Sequence, residues 1–451
     1  MRFKYGGVFR GISFSFLTLI YKVLLEISYT LYIGHNIYWY YNIVGENLYS
    51  YIIFMIIIEI IGNFIYLNVK KENRSFRSIV MYLLYFLAFI PALSYFNFEF
   101  LDKNYQLAYL AFWGNFYIFY AILAKSTHSN DELKNRKTNI NKPFVIVIII
   151  TSIYLGYKFQ TLNILKIEIA DLNDLYRLRK IMKNAELGQI ISIFRLWASN
   201  IVLPFLFLRS LNHKKYYFSI FYFYLMLVLF SIGGEKTILA IILLGITLSY
   251  LANVILQAVP LLLISLTLAS IVEYYTIGSK IIASLTTYRT CYLPVQIGYY
   301  YYDFMKDKQK LWFLEGALGS RINNYLFNRS IEFYPTLSYE IGYRYFGSGD
   351  MNANTGLFGS AYAEMGPVGI FIGPLILIIC LIITDRIYKR YNIKYSVIIA
   401  IYFVSYIING PNSGTILAIL VPSFLMVADY KFEASGFRDK RPILSMLTEQ
   451  K

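Results

Sequence analysis

Residues 349–369 read Gly349-Asp350-Met351-Asn352-Ala353-Asn354-Thr355-Gly356-Leu357-Phe358-Gly359-Ser360-Ala361-Tyr362-Ala363-Glu364-Met365-Gly366-Pro367-Val368-Gly369, and the chain then continues as an apolar run to residue 384. A glycine-dense, polar segment thus opens directly into a stretch long enough to cross a lipid core of ~30 Å. Eight of the 27 glycines fall between Gly342 and Gly373. Gly366, Gly369 and Gly373 share a helical face and are expected to let a neighbouring helix approach closely. Gly356 and Gly359 precede the span and are expected to permit backbone turns beside a ligand, with Asn352, Asn354, Thr355 and Ser360 supplying hydrogen bonds.

Apolar runs of this kind recur throughout the 451 residues. The chain is 57% hydrophobic and 15% charged, against about 25% charged for a soluble domain. Twelve spans are expected, at 12–33, 47–69, 78–97, 105–124, 143–159, 190–208, 216–232, 236–253, 257–275, 366–384, 395–409 and 413–430. The fold class is therefore an all-α, polytopic membrane helix bundle, with one long extracytoplasmic loop between the ninth and tenth spans. The expected domains are a bundle at 1–275 with an outer loop at 160–189, the long loop at 276–365 with short helices, the last spans at 366–430, and a tail at 431–451.

Charge sets the orientation. The net charge is +16, and the basic residues cluster between spans, which points to anionic lipid headgroups and away from nucleic acid. With the N-terminus inside, segments 1–11, 70–77, 125–142, 209–215, 385–394 and 431–451 carry 24 Lys+Arg, whereas 34–46, 98–104 and 409–412 carry one. Both termini are then cytoplasmic. Segments 160–189 and 276–365 are rich in cations although they fall outside. Long loops cross regardless of charge, so topology does not require those cations, and an anionic ligand is one reason for them.

Four cations are expected near one depth at the outer mouth. Arg179 precedes the sixth span, Arg195 lies within it, Lys236 opens the eighth, and Arg289 follows the ninth in Thr287-Tyr-Arg-Thr-Cys-Tyr-Leu-Pro294. A charge inside a span is costly and marks a functional or paired interior position. Several cations at one depth repel unless an anion lies between them, and a diphosphate suits both the arginine fork and the lysine ammonium. Local acids are the competing partners, Glu235 for Lys236 and Asp171 for Arg179. Arg344 joins the substrate-binding set together with Asn354. Asp350 and Glu364 are the candidate general bases, with a salt bridge to a loop arginine as the alternative for Glu364. Lys22 and Glu26, four residues apart in the first span, read as a structural ion pair.

Cys291 and Cys380 form no disulfide framework or metal-type spacing. No Asp-x-Asp pair and no phosphate-binding glycine loop occurs, and two of the three histidines, His128 and His213, map to the cytoplasm. No metal and no cofactor is expected, and the cationic side chains would have to neutralise a diphosphate leaving group themselves.

These features resemble the Wzy-type O-antigen and capsule polymerases. The matching stretches are Tyr176-Arg-Leu-Arg179, Gly234-Glu-Lys236, Tyr288-Arg289 with Pro294, the run Tyr299-Tyr-Tyr-Tyr-Asp-Phe304, and Asn354-Thr-Gly356 through Phe358, Gly359, Tyr362, Glu364, Gly366 and Gly369. The resemblance implies a glycosyltransferase of the bacterial inner membrane. Its substrate would be an undecaprenyl-diphosphate-linked oligosaccharide, its site would face outward, and a chain-length regulator and a flippase would be its partners. It implies functional roles for Arg179 and Arg289. Lys236 stands where many members carry arginine, keeping the charge but losing the fork. The related ligases use an outer-loop histidine, and neither long outer loop here has one. A lipid-linked oligosaccharide flippase is the rival reading. No repeat between the chain's halves supports it.

Overall fold

The computed structural model describes residues 14–34, 48–71, 75–99, 101–125, 140–162, 189–233, 243, 245–308, 310–311, 337–349, 351–388, 393–409 and 414–427. Every regular element among them is helical. Among the described residues seven helices are long and apolar enough to cross a membrane, so the chain has the make-up of a multi-pass membrane protein. Of the expected outer loops, most of 160–189 and residues 312–336 of 276–365 lie outside the described residues, and the described parts of 276–365 are largely helical.

Helix–helix contacts divide the chain into two units, Met1–Glu132 with Leu239–Ile419, and Leu133–Ile238 with Leu420–Lys451. The first unit contains α1 (Phe14–Ser28), α2 (Leu48–Lys71), α3 (Phe76–Phe98), α4 (Lys103–Lys125) and α8 (Ile255–Ile277). The second contains α5 (Lys142–Lys158), α6 (Gln189–Asn212) and α7 (Tyr216–Gly233). The first unit continues with α9 (Leu293–Met305), α10 (Leu337–Phe346), α11 (Leu357–Met365), α12 (Gly369–Tyr388) and α13 (Ile393–Asn409), and α14 (Gly414–Val427) closes the described chain.

In the first unit α1 packs on α8, α3 on α13 and α12 on α4. α3 is buried on nearly all sides. At its start Arg77 pairs with Asp385 near the end of α12, Nε to Oδ2 at 3.8 Å. Gly373 shows what the glycine face is for. A Cβ there would stand 2.9 Å from the Ala361 Cβ and 3.0 Å from the Phe112 ring, so α12 can lie against α4 and α11 only without a side chain at this point. Gly356 has the same use. Its φ of −75° is ordinary, and an added Cβ would meet the Ile408 carbonyl oxygen at 2.6 Å. Close packing, rather than a turn, requires glycine at position 356.

Proline shapes the helices in a repeated way. Of the four π-helical stretches among the described residues, Tyr85–Phe89, Ala198–Val202 and Ser284–Tyr292 are each followed at once by α-helix with proline in its first turn, at Pro91, Pro204 and Pro294, while Tyr29–Ile33 is not. Proline has no N–H and crowds the carbonyl four residues earlier. Those carbonyls belong to Leu87, Asn200 and Thr290, all inside the widened stretches. The wider turn relieves the crowding and lets the helix continue.

The widened turns leave backbone carbonyls to be satisfied away from water. A tyrosine hydroxyl takes one of them, at Ala88, and other tyrosines take carbonyls of neighbouring α-helices. Tyr109 donates to the Ala88 carbonyl at 3.4 Å, Tyr105 to Val295 at 3.0 Å, Tyr292 to Leu25 at 2.9 Å and Tyr85 to Ile58 at 2.8 Å. A tyrosine ring packs like phenylalanine while its hydroxyl reaches a polar partner, which gives many of the 45 tyrosines a structural use.

The second unit is held by similar contacts. Tyr224 donates to the Leu162 carbonyl at 2.6 Å, the Ser210 and Ser219 hydroxyls meet at 2.7 Å, Phe144 packs on Trp197, and Asn141 N–H donates to the Met426 carbonyl at 3.0 Å.

Candidate functional site

The site in the first unit is built among α3, α4, α9 and the start of α11. The chain leaves α8 at Gly278, whose φ of +68° ends that helix in the left-handed conformation glycine tolerates. It then enters the π-helical stretch Ser284–Tyr292 and α9. These segments do not lie loosely on the surface. Thr287, Tyr288, Cys291, Tyr292, Val295, Gln296, Ile297 and Gly298 are buried. Tyr292 packs on Tyr29, and Tyr105 at the start of α4 touches Tyr299 and Tyr302.

A small pocket, with about 30 Å³ of free volume, opens between these elements. Its walls are mainly apolar, with Leu87, Trp113, Pro294, Val295, Leu357 and Ile408 among them. The two π-helical stretches face it, one through Leu87 and Ala88, the other through Cys291. Thr355 also lines it. This residue is fully buried and its hydroxyl has no hydrogen-bond partner among the described residues, which is costly unless something in the pocket supplies one.

Arg289 belongs to the same π-helical stretch as Cys291, is exposed, and makes no ion pair or hydrogen bond among the described residues. Glu364 is buried at 3% exposure on α11. Asn354 is half-buried in the extended segment before α11, and its N–H donates to the Asn352 carbonyl at 3.0 Å. Arg344 is exposed on α10. Asp350, Arg179 and Lys236 lie outside the described residues. Arg195 is buried on α6 in the second unit. Arg289 and Arg344 are not brought together. The first precedes α9, and the second flanks its far end, over Phe304. The 13 residues of α9 separate them, about 20 Å at ~1.5 Å per residue.

The far end of α9 carries a group of residues of which the sequence pointed only to Arg344 as a site residue. Asp303 accepts a hydrogen bond from the Tyr345 hydroxyl at 2.6 Å and one from Lys306 at 2.9 Å. Burial pushes the Asp303 carboxyl up, but these two donors outweigh it, and the group lies below the usual carboxylate range. Hydrogen bonding to Asp303 raises Lys306 in turn. Tyr300 stacks on Tyr345 at 4.3 Å with the rings 13° apart. Lys308 Nζ stands 3.3 Å from the Phe304 ring centre, and the Arg344 guanidinium carbon lies 5.5 Å from the same centre. Burial and the neighbouring Arg344 lower the Lys308 amine, with Glu340 partly offsetting them. Lys310 is half-buried, donates to the Met305 carbonyl and lies 4.9 Å from the Tyr362 ring centre. Burial lowers its amine too.

One signal for this group was available in the sequence. The run Tyr299–Phe304 contains Asp303, and Lys306, Lys308 and Lys310 follow at intervals of two. What the sequence does not contain is the pairing with α10, 42 residues away in the Tyr345–Asp303 bond.

Compared with known proteins, the chain matches no family model, no curated protein and no solved structure.

Proposed function

We propose that the protein is a glycosyltransferase that joins undecaprenyl-diphosphate-linked oligosaccharide repeat units into a longer polysaccharide, of O-antigen or capsule type, at the outer face of the bacterial inner membrane. The observation that carries this reading is one stretch of helix with two characters. Ser284–Tyr292 turns Cys291 toward an apolar pocket and holds Arg289 exposed with no partner among the described residues. An apolar wall beside a guanidinium unpaired among the described residues suits an amphipathic substrate with an apolar chain and an anionic head. The tyrosines along α9 suit the sugars that follow the head.

In this reading a hydroxyl of the acceptor sugar attacks the anomeric carbon of the donor. The new C–O bond forms as the bond from that carbon to the diphosphate oxygen breaks, and the diphosphate departs with the bonding electrons. Arg289 stabilises the charge that develops on it. The hydroxyl proton passes to a carboxylate, for which Glu364 and Asp350 are the candidates.

Replacing Arg289 by alanine should abolish polymer while single repeat units and protein levels remain. Polysaccharide of normal length in that variant would refute the role. Reconstitution separates the flippase reading: movement of lipid-linked oligosaccharide across the bilayer with no new glycosidic bond would favour it.

A further inference from the structure

The Arg289 side chain is exposed, yet the backbone that carries it is held from both ends. It belongs to the nine-residue π-helical stretch Ser284–Tyr292. π-helix rarely extends beyond a single turn, so a stretch of this length depends on its neighbours to keep its shape. α1 holds the far end. The Tyr292 hydroxyl donates to the Leu25 carbonyl at 2.9 Å, and the Cys291 thiol meets the Tyr21 hydroxyl at 3.5 Å.

The near end is held by a carboxylate. After the Gly278 turn the chain re-enters helix at Ile281, and helix continues from there through the π-helical stretch into α9. A helix start leaves backbone N–H groups without an acceptor in the helix. Here the Ile281 N–H donates to Glu273 Oε1 at 3.1 Å and the Ile282 N–H to Glu273 Oε2 at 2.8 Å. Ser279 Oγ offers the Ile281 N–H a second acceptor at 3.4 Å. Glu273 is buried at 8% exposure on α8. Its charge therefore meets little water, and two donors at the positive end of a helix stabilise it strongly. α8 is tied in turn to α1, where the Tyr32 and Ser270 hydroxyls meet at 2.5 Å and the Tyr32 ring packs on Tyr274. Both ends of the Arg289 stretch are thus fixed to one packed pair of helices. Arg289 lies about 10 Å along the helix from Ile282 (~1.5 Å per residue), so a small tilt at the start displaces it. A shift of ~1 Å at a reacting centre can cost ~100-fold in rate.

We infer that Glu273 is a positioning residue for Arg289: its carboxylate clasps the first turn of the helix that carries the guanidinium and so fixes where the guanidinium meets the anionic head of the substrate. This rests on the proposed role of Arg289. Glu273 acts through the backbone and touches no substrate.

The stretch carries its own reporter. Cys291 is buried, and burial pushes its thiol up to about 11, so a maleimide should label it slowly. With Cys380→Ala as background, labelling of the full-length protein in nanodiscs reads Cys291 alone. Glu273→Ala should speed that labelling ~10-fold, the factor that ~1.4 kcal/mol of lost hydrogen bonding gives. Labelling of Cys380 in a Cys291→Ala background should stay unchanged, which separates local loosening from unfolding. With lipid-linked repeat units as substrate, Glu273→Ala should lower kcat at least ~10-fold and leave KM within ~2-fold, as expected when a transition-state contact is lost. Glu273→Gln keeps one acceptor oxygen and should fall between the parent and Glu273→Ala in both readings, and it carries the test if Glu273→Ala does not fold. Thr276→Ala, on the exposed face of the same helix end, should match the parent. Unchanged labelling of Cys291 would overturn the inference, and so would faster labelling with unchanged kcat. A parent protein that forms no polymer from these units would sink the polymerase reading instead, and the labelling rates would still decide whether Glu273 holds the stretch.

Discussion

Two ion pairs in the first unit have nearly the same local design and opposite surroundings. Lys22 and Glu26 stand four residues apart on α1, and Asp303 and Lys306 three apart at the end of α9. The first pair is sealed: Lys22 has no exposed surface, its ammonium lies 4.1 Å from the Tyr51 ring centre, and Asn97 donates to the Glu26 carboxylate at 3.2 Å. The second pair is open, with side chains 38% and 30% exposed. A sealed pair can respond to nothing but its fixed neighbours, so it specifies how α1, α2 and α3 meet. An open pair is solvated, contributes little to stability, and remains able to meet a ligand. Burial, more than spacing, separates structural charge from functional charge here.

The comparison breaks most easily at Lys22. Lys22→Met strands Glu26 in a water-free interior, at a cost of about 3–5 kcal/mol, and should strongly lower the thermal stability of the purified protein. Adding Glu26→Leu should recover most of the loss, because removing both charges leaves none unpaired. If the single variant melts like the parent, the pair is not sealed as described. At the open pair the effects shrink. Tyr345→Phe removes the hydroxyl that donates to Asp303 and should cost about 1 kcal/mol, read as a small drop in melting temperature. Lys306→Ala should cost less than about 1 kcal/mol, and the difference should fade at high salt.

The pH response is the smallest of these effects. Asp303 has its pKa held below the ordinary carboxylate value in the folded chain, so the stability it contributes is present above that ordinary value. It is lost as pH falls through the lowered folded value. The melting-temperature gap between the parent and Asp303→Asn should therefore be constant around neutrality and close only in acid below about 3.8. A gap that closes near pH 6 would mean that Asp303 is not held ionised by Tyr345 and Lys306.

Much of the scaffold is legible in the chain. Helices coincide with the apolar runs, for example α3 at Phe76–Phe98 where 78–97 is expected. The Lys22–Glu26 pair follows from i, i+4 spacing on one helical face. The close-approach role of Gly373 follows from its place on a small-residue face. The candidate site is legible only in fragments. Arg289 stands out because no acid is near it in sequence, and its exposure in the structure agrees. Arg344 and Arg289 look alike in the sequence as cations of one segment, yet α9 holds them apart. Gly356 reads as permitting a backbone turn beside a ligand, and the Ile408 carbonyl explains the glycine instead.

The sequence by itself determined where the chain is apolar, where proline interrupts a helix and where charge is confined, because lipid transfer, the missing N–H of proline and the cost of a buried ion act locally on each residue. Only the tertiary structure decided that the turns before Pro91 and Pro294 face one pocket, that Tyr345 reaches Asp303, and that Lys308 and Arg344 share a ring. Those meetings depend on how distant helices pack, and packing follows from the joint fit of many side chains, which no single stretch of residues encodes.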